Sequence, residues 1–321
     1  MNNSSFGLKP KITHAGTIAR DCLAPAQRGS VLAAFSKAIY LQPEVGELFL
    51  ITTEEAPMHR RGAQTPSPLP NLTAGSPYQV IGNTLIFDHT FKYEMKQVTE
   101  WREPCSDQVL NAAALYSRVN TFFMSLDYSH ARGFGIFIPS ILSLNHETPA
   151  DLVPELSDSV LRYTRPYVMS MARICLDHQL DRISESADAL IGFGAGLTPS
   201  GDDFLGGMLF AIKTVQFNYP DLLLTNFALD MESFHSRTNL ISFTLLNDLA
   251  NGHAIAPLHH IINSIINRKD PDLNDPSVSH LTQVGHSTGW DLLTGLLVGL
   301  LTIYRSHYLI PSLQFANSME I

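Results

Sequence analysis

The 321-residue sequence predicts an α+β chain. A β-rich, barrel-like domain is expected over residues 1–104, then a mainly α-helical domain over 105–321 with two buried glycine-containing helices. Three observations predict this. Short apolar runs bounded by Gly and Pro fill the first hundred residues. Apolar stripes at helical spacing follow Pro104. One motif occurs twice, at Ser200–Leu209 and at Thr288–Leu297, each copy leading into an almost wholly apolar run.

In the first part, Val45-Gly-Glu-Leu-Phe-Leu-Ile-Thr-Thr53 is an apolar run after a glycine turn. Gly82-Asn83 precedes Thr84-Leu-Ile-Phe87, and Phe91–Val98 alternates. Each reads as a strand. Ala33–Tyr40 fits a strand or a helix. Pro57–Pro77, punctuated by Pro66, Pro68, Pro70 and Gly75, is loop. His14, His59 and His89 have no metal-ligand spacing. Arg20, Arg28, Arg60 and Arg61 are either solvated or reach an anion on the other domain.

Ser106-Asp107 starts the helical part. Val109, Ala113, Tyr116, Val119, Phe123 and Leu126 form its first stripe. Arg132-Gly-Phe-Gly135 breaks it, and Gly135–Pro139 reads as extended. Further helices are expected over Pro154–Asp181, bent or divided by Pro166, and over Leu222–His235. Another is capped by Thr238 and ended by Gly252, and the next is opened by Ala256-Pro257. A loop over Asp270–Pro276 and a short helix lead to the second motif, and the tail after Pro311 is expected to fray.

The central stretch is Leu190-Ile-Gly-Phe-Gly-Ala-Gly-Leu-Thr-Pro-Ser-Gly-Asp-Asp203. Alternating Gly192, Gly194 and Gly196 permit positive φ or close approach of backbone. Thr198-Pro199-Ser200 reads as a helix start, with Ser200 and Asp203 at capping-box spacing. A glycine loop running into a helix N-terminus is a prepared anion site. Gly194, Gly196, Thr198, Ser200 and Gly201 are therefore its candidate ligand-binding residues. No Lys or Arg occurs between Gly192 and Lys213. Paired Asp202 and Asp203 would repel a bare phosphate. Either a divalent cation, with Mg²⁺ the candidate, bridges them, or their oxygens accept N–H groups of an amide-like ligand. The plainer alternative is that Ser200 and Asp203 only cap a buried helix.

The second copy aligns without gaps. Ser200 meets Thr288, Gly201 meets Gly289, Asp203 meets Asp291 and Gly207 meets Gly295. Two buried helices with similar N-termini, related by a pseudo-twofold axis, are expected to face one ligand. Gly285-His286-Ser287 supplies the preceding loop. Ser287, Thr288 and Gly289 join the binding candidates. Asp202, Asp203, Asp291 and His286 are the catalytic candidates, His286 as an acid, base or donor near neutral pH. Thr238 and Ser242, four residues apart, are either further site residues or parts of a plain helix start.

Gly192–Leu209, Thr238-Asn-Leu-Ile-Ser242 and Gly285-His-Ser-Thr-Gly-Trp-Asp291 together resemble the AllH-like family. The motifs cover roughly the C-terminal half, whereas the N-terminal third matches only in its β-rich character. Ser287-Thr288 stands where the family often has Thr-Ser, which keeps both hydroxyls. The resemblance implies a subunit of oxamate carbamoyltransferase from anaerobic allantoin breakdown. It would convert oxalurate and phosphate to oxamate and carbamoyl phosphate, or the reverse, together with other protein subunits. The competing readings are a non-catalytic metabolite-binding or scaffold subunit, and a metal-dependent hydrolase.

Composition narrows the classes. A net charge of −9, with no basic run, argues against nucleic-acid binding. Cys22, Cys105 and Cys175 form no CxxC and read as isolated thiols. Trp290–Tyr304 is the longest apolar helix and is shorter than the ~20 residues of a membrane span. Met1–Phe6 has no basic start followed by an apolar core, so a cytoplasmic protein is expected. Gly-x-Gly-x-x-Gly is absent at the central loop, and no P-loop is present.

Overall fold

The computed structural model describes residues 10–104, 110–144, 158–220, 229–267 and 276–303. The chain forms two compact units, Met1–Glu103 and Pro104–Ile321.

The first unit is one nine-stranded sheet that curls into a half-barrel. Its strands are β1 (His14–Gly16), β2 (Arg28–Ala34), β3 (Ala38–Pro43), β4 (Phe49–Thr53), β5 (Gly62–Thr65), β6 (Pro77–Ile81), β7 (Thr84–Phe87), β8 (Phe91–Glu94) and β9 (Thr99–Trp101). The order is β8-β7-β6-β2-β3-β4-β5-β1-β9. Most neighbours are antiparallel, while β4–β5 and β1–β9 are parallel. Ala33–Tyr40 is neither a single strand nor a helix. It is the end of β2, a turn and the start of β3, because Ile39 and Leu41 alternate into the core. Phe49, Ile51, Leu85, Phe87 and Tyr93 fill the same interior, and a short helix α1 (Thr17–Cys22) adds Ile18, Ala19 and Cys22. Three of the four arginines pair locally. Arg20 pairs with Glu100, Arg28 with Glu44, and buried Arg61 with Glu47 at 2.8 Å.

The second unit is helical: α2 (Ala112–Met124), α3 (Ile138–Ser143), α4 (Ser159–Leu176), α5 (Ile183–Leu190), α6 (Ser200–Asn218), α7 (Leu240–Ala250), α8 (Ala256–Ile266), α9 (Ser277–Thr282) and α10 (Thr288–Leu300). Pro166 lies inside α4, which runs through it as one helix. Residues 133–139 are not extended. A 3₁₀ turn at Gly133–Phe137 runs directly into α3, with Pro139 in its first turn, where a missing N–H costs nothing. The expected starts at Ser106-Asp107 and Pro154, residues 222–228 of the helix expected to end at His235, the loop residues 270–275, Cys105, Val109, Met1–Phe6 and the tail after Pro311 lie outside the described residues. The described end of that expected helix is a 3₁₀ turn, Met231–Phe234.

Helices α6 and α10 form the centre of this unit. Every residue from Gly201 to Ile212 and from Gly289 to Leu300 is buried, as a helix apolar all round requires. Their contact is reciprocal. A Cβ on Gly207 would stand 2.2 Å from the Leu292 carbonyl oxygen, and one on Gly295 would stand 2.0 Å from that of Phe204. Phe204 and Leu292 are equivalent positions of the two motif copies. The internal repeat is thus a pseudo-twofold packing in which each glycine admits the other helix's backbone. This contact sets the two N-termini side by side.

Candidate functional site

At the paired N-termini the hydroxyls interleave. Thr198 Oγ1 lies 3.2 Å from Thr288 Oγ1, and Ser200 Oγ lies 3.3 Å from Ser287 Oγ. Each pair joins the N-terminal stretch of α6 to that of α10. The Thr288 and Thr198 hydroxyls lie near Asp203, and those of Ser287 and Ser200 lie near Asp291. The Phe134 N–H adds a 2.6 Å bond to Asp291 Oδ1. Ser200 and Thr288 therefore do not cap their own helices. Pro199 and Ser287 are the N-caps, neither makes a side-chain cap bond, and the hydroxyls cross to the opposite helix instead.

Both carboxyl groups are buried, and Oδ2 of each has no hydrogen-bond partner among the described residues. Burial, and then the neighbouring Asp291 charge, hold Asp203 well above the usual carboxylate range. Burial pushes Asp291 up to about 6, against the pull of Phe134, Ser287 and Ser200.

Asp202 differs. Its Oδ1 accepts the Gly192 N–H at 2.6 Å, and its Oδ2 accepts the Ser242 hydroxyl at 2.6 Å together with that of Thr238. The adjacent acids thus turn to different partners, Asp202 to α7 and Asp203 to α10. Both oxygens of Asp202 are engaged by protein donors. No group of three or more His, Cys, Asp or Glu among the described residues is arranged to hold a metal.

Thr238 and Ser242 are bound to Asp202, and Thr238 is not the cap of α7. Asn239 is: its side chain accepts the Ser242 N–H at 3.0 Å, and its Nδ2 donates to the Leu197 carbonyl at 2.8 Å. Asn239→Ala is expected to destabilise the helical unit by about 1 kcal/mol in urea unfolding, the usual worth of a cap. It should also loosen the loop before Thr198, read as faster amide exchange there.

Gly192, Gly194 and Gly196 all have positive φ, and Gly196 is exposed. Gly201 and Gly289 stand at close backbone crossings. Their N–H groups donate to the Phe193 and Val284 carbonyls. A Cβ on either would lie 1.8 Å from a carbonyl oxygen, that of Leu190 or Leu281. His286 is exposed in its turn, with no contact to either carboxyl group among the described ones.

The structure therefore brings Thr198, Ser200, Asp203, Ser287, Thr288 and Asp291 together. Asp202, Thr238 and Ser242 form a separate hydrogen-bonded group with Gly192. Two participants had no clear sequence signal. Phe134 entered only as part of a helix break, although its two flanking glycines mark an unusual backbone. Asn239 was hidden by the adjacent Thr238. A separate cleft of about 210 Å³, lined by Lys213, Phe217, Asn218 and Asn263 among others, lies at the far end of α6 and touches none of these residues.

No solved structure matches the chain. Residues 190–300, which hold the glycine loop and α6 to α10, match the family model described as oxamate carbamoyltransferase subunit AllH, which supports an AllH-like family assignment.

Proposed function

We propose that this chain is a subunit of a carbamoyltransferase-type enzyme, and that its paired helix N-termini take a small anionic substrate. The reaction is oxalurate and phosphate to oxamate and carbamoyl phosphate, or its reverse. One observation carries this reading beyond the family match: two copies of one motif place two hydroxyl pairs and two buried carboxyl groups at one point. Acyl transfer needs fixed donors where an oxyanion develops. The residues Thr198, Ser200, Ser287 and Thr288 are half-buried, and the preceding Ala195-Gly196 and Gly285-His286 turns are exposed. Two helix N-termini add favourable potential for an anion. A protonated carboxyl group repels an anion less than a carboxylate does. The description of the matched family as a subunit supports further protein chains as partners. No helix among the described residues is long and apolar enough to cross a membrane.

Thermal unfolding of the full chain tests this, with phosphate, carbamoyl phosphate and oxamate added singly and in pairs, with and without Mg²⁺. A ligand at 100 times its Kd adds about 2.7 kcal/mol of stability. Wild type should rise with at least one combination, and Ser200→Ala should lose the rise. No rise with any combination, with partner subunits present, would favour a scaffold subunit.

A further inference from the structure

The loop before α6 carries one large side chain. In Gly192-Phe-Gly-Ala-Gly196, Phe193 stands between glycines with φ of +70° and +128°. Such flanks give a loop many conformations to lose when it is fixed. The Phe193 backbone is nonetheless tied on both sides. Its N–H donates to the Leu190 carbonyl, and its own carbonyl accepts the Gly201 N–H, both at 2.9 Å. Gly194 lies against the start of α6, where a Cβ would stand 2.6 Å from the Ser200 nitrogen. The placement of Phe193 therefore bears directly on Ser200, whose Oγ meets Ser287 Oγ.

The Phe193 ring is stacked on Tyr163 of α4, with centroids 4.6 Å apart and planes 21° from parallel. Tyr163 is set off from the core face of its helix. Thr164, Val168, Met171 and Cys175 are buried, whereas Tyr163 is 48% exposed. Tyr167, one turn along, braces it with a ring contact of 5.5 Å. A half-exposed ring adds less burial to the fold than a core ring does. Its stack on Phe193 acts on the loop more than on the core.

We propose that Tyr163 is a positioning residue, whose ring clamps Phe193 and so holds the glycine loop in the conformation that receives the substrate. The clamp needs no assumption about the ligand, while its role in binding rests on the proposed function. A loop already held in its binding form has less ordering to pay for when ligand arrives. Apparent affinity falls with the fraction of molecules that leave that form. One aromatic pair shifts such an equilibrium about three- to tenfold.

Amide exchange of the full chain without ligand tests the clamp. Tyr163→Ala should speed exchange at Phe193 and Gly201 about three- to tenfold, and leave Leu205–Phe210 of α6 unchanged. Tyr163→Phe keeps the stack and should match wild type. Tyr163→Leu keeps bulk without a flat ring and should resemble Tyr163→Ala. Unchanged exchange at Phe193 and Gly201 overturns the clamp, and so does faster exchange throughout α6. The comparison of Phe with Leu decides even where Tyr163→Ala does not fold. Titration with phosphate, carbamoyl phosphate and oxamate then tests the role in binding. Kd should rise about three- to tenfold in Tyr163→Ala and recover in Tyr163→Phe. A loosened loop with an unchanged Kd rejects the positioning role. If wild type binds none of the three, that role falls with the proposed function, and the exchange result still decides the clamp.

Discussion

Gly295→Ala should destabilise the helical unit by roughly 3 kcal/mol or more, at or beyond the upper end of ordinary overpacking. Its new Cβ would meet the Phe204 carbonyl oxygen at 2.0 Å and the Met208 nitrogen at 2.7 Å. Both obstacles are backbone atoms of a buried helix, so no side chain can swing aside. Relief requires α6 and α10 to separate, and that would draw Thr288 and Asp291 away from Thr198, Ser200 and Asp203. Gly207→Ala meets the Leu292 carbonyl at 2.2 Å and should behave alike. Gly196→Ala is the control. Nothing lies within 4 Å of its Cβ, but its φ is +103°, so only backbone strain of about 1–3 kcal/mol is expected. Urea unfolding followed by far-ultraviolet circular dichroism measures all three. A Gly295→Ala protein within about 1 kcal/mol of wild type would contradict the close helix crossing.

Asp202→Ala should be the costliest change near the site, about 3–5 kcal/mol. It strands three donors at once, the Gly192 N–H and the Thr238 and Ser242 hydroxyls. Each buried donor left without an acceptor costs about 1–3 kcal/mol. Asp203→Asn, one residue away, should have the opposite sign once pH passes the raised Asp203 pKa. The folded state raises the Asp203 pKa above its ordinary value of 3.8, and an ionised Asp203 is unfavourable there. Its contribution to stability is full below the unfolded pKa and is lost as pH rises through the folded one. Asn cannot ionise, so the variant escapes that loss and gains on wild type as pH rises. Asp291→Asn should show the same trend over a window from about 4 to about 6. Unfolding of the variants and wild type across pH 4 to 9 checks the sign. If Asp203→Asn loses stability relative to wild type as pH rises, the raised Asp203 pKa is wrong.

Much of this protein was legible in the residues, for identifiable reasons. Alternation such as that of Ile39 and Leu41 reports a half-buried strand, and the apolar runs after Asp203 and Asp291 report buried helices. The gapless match of Ser200–Leu209 to Thr288–Leu297 exposed a repeat, because equivalent packing positions demand equivalent small residues. These are local properties, carried by period and by residue size. What only the tertiary structure decided is where each polar side chain turns. Asp202 and Asp203 are neighbours in sequence, but successive helical residues point about 100° apart. One was taken by α7 and the other by α10. Ser200 has a capping residue's identity and spacing, yet its hydroxyl crosses to Ser287, 87 residues away. The Phe134 N–H reaches Asp291 across 157 residues. Sequence by itself determined that two helices with similar N-termini must be buried. The fold alone determined which polar partners meet, because a hydrogen bond depends on direction and distance in space, and neither is encoded in spacing along the chain.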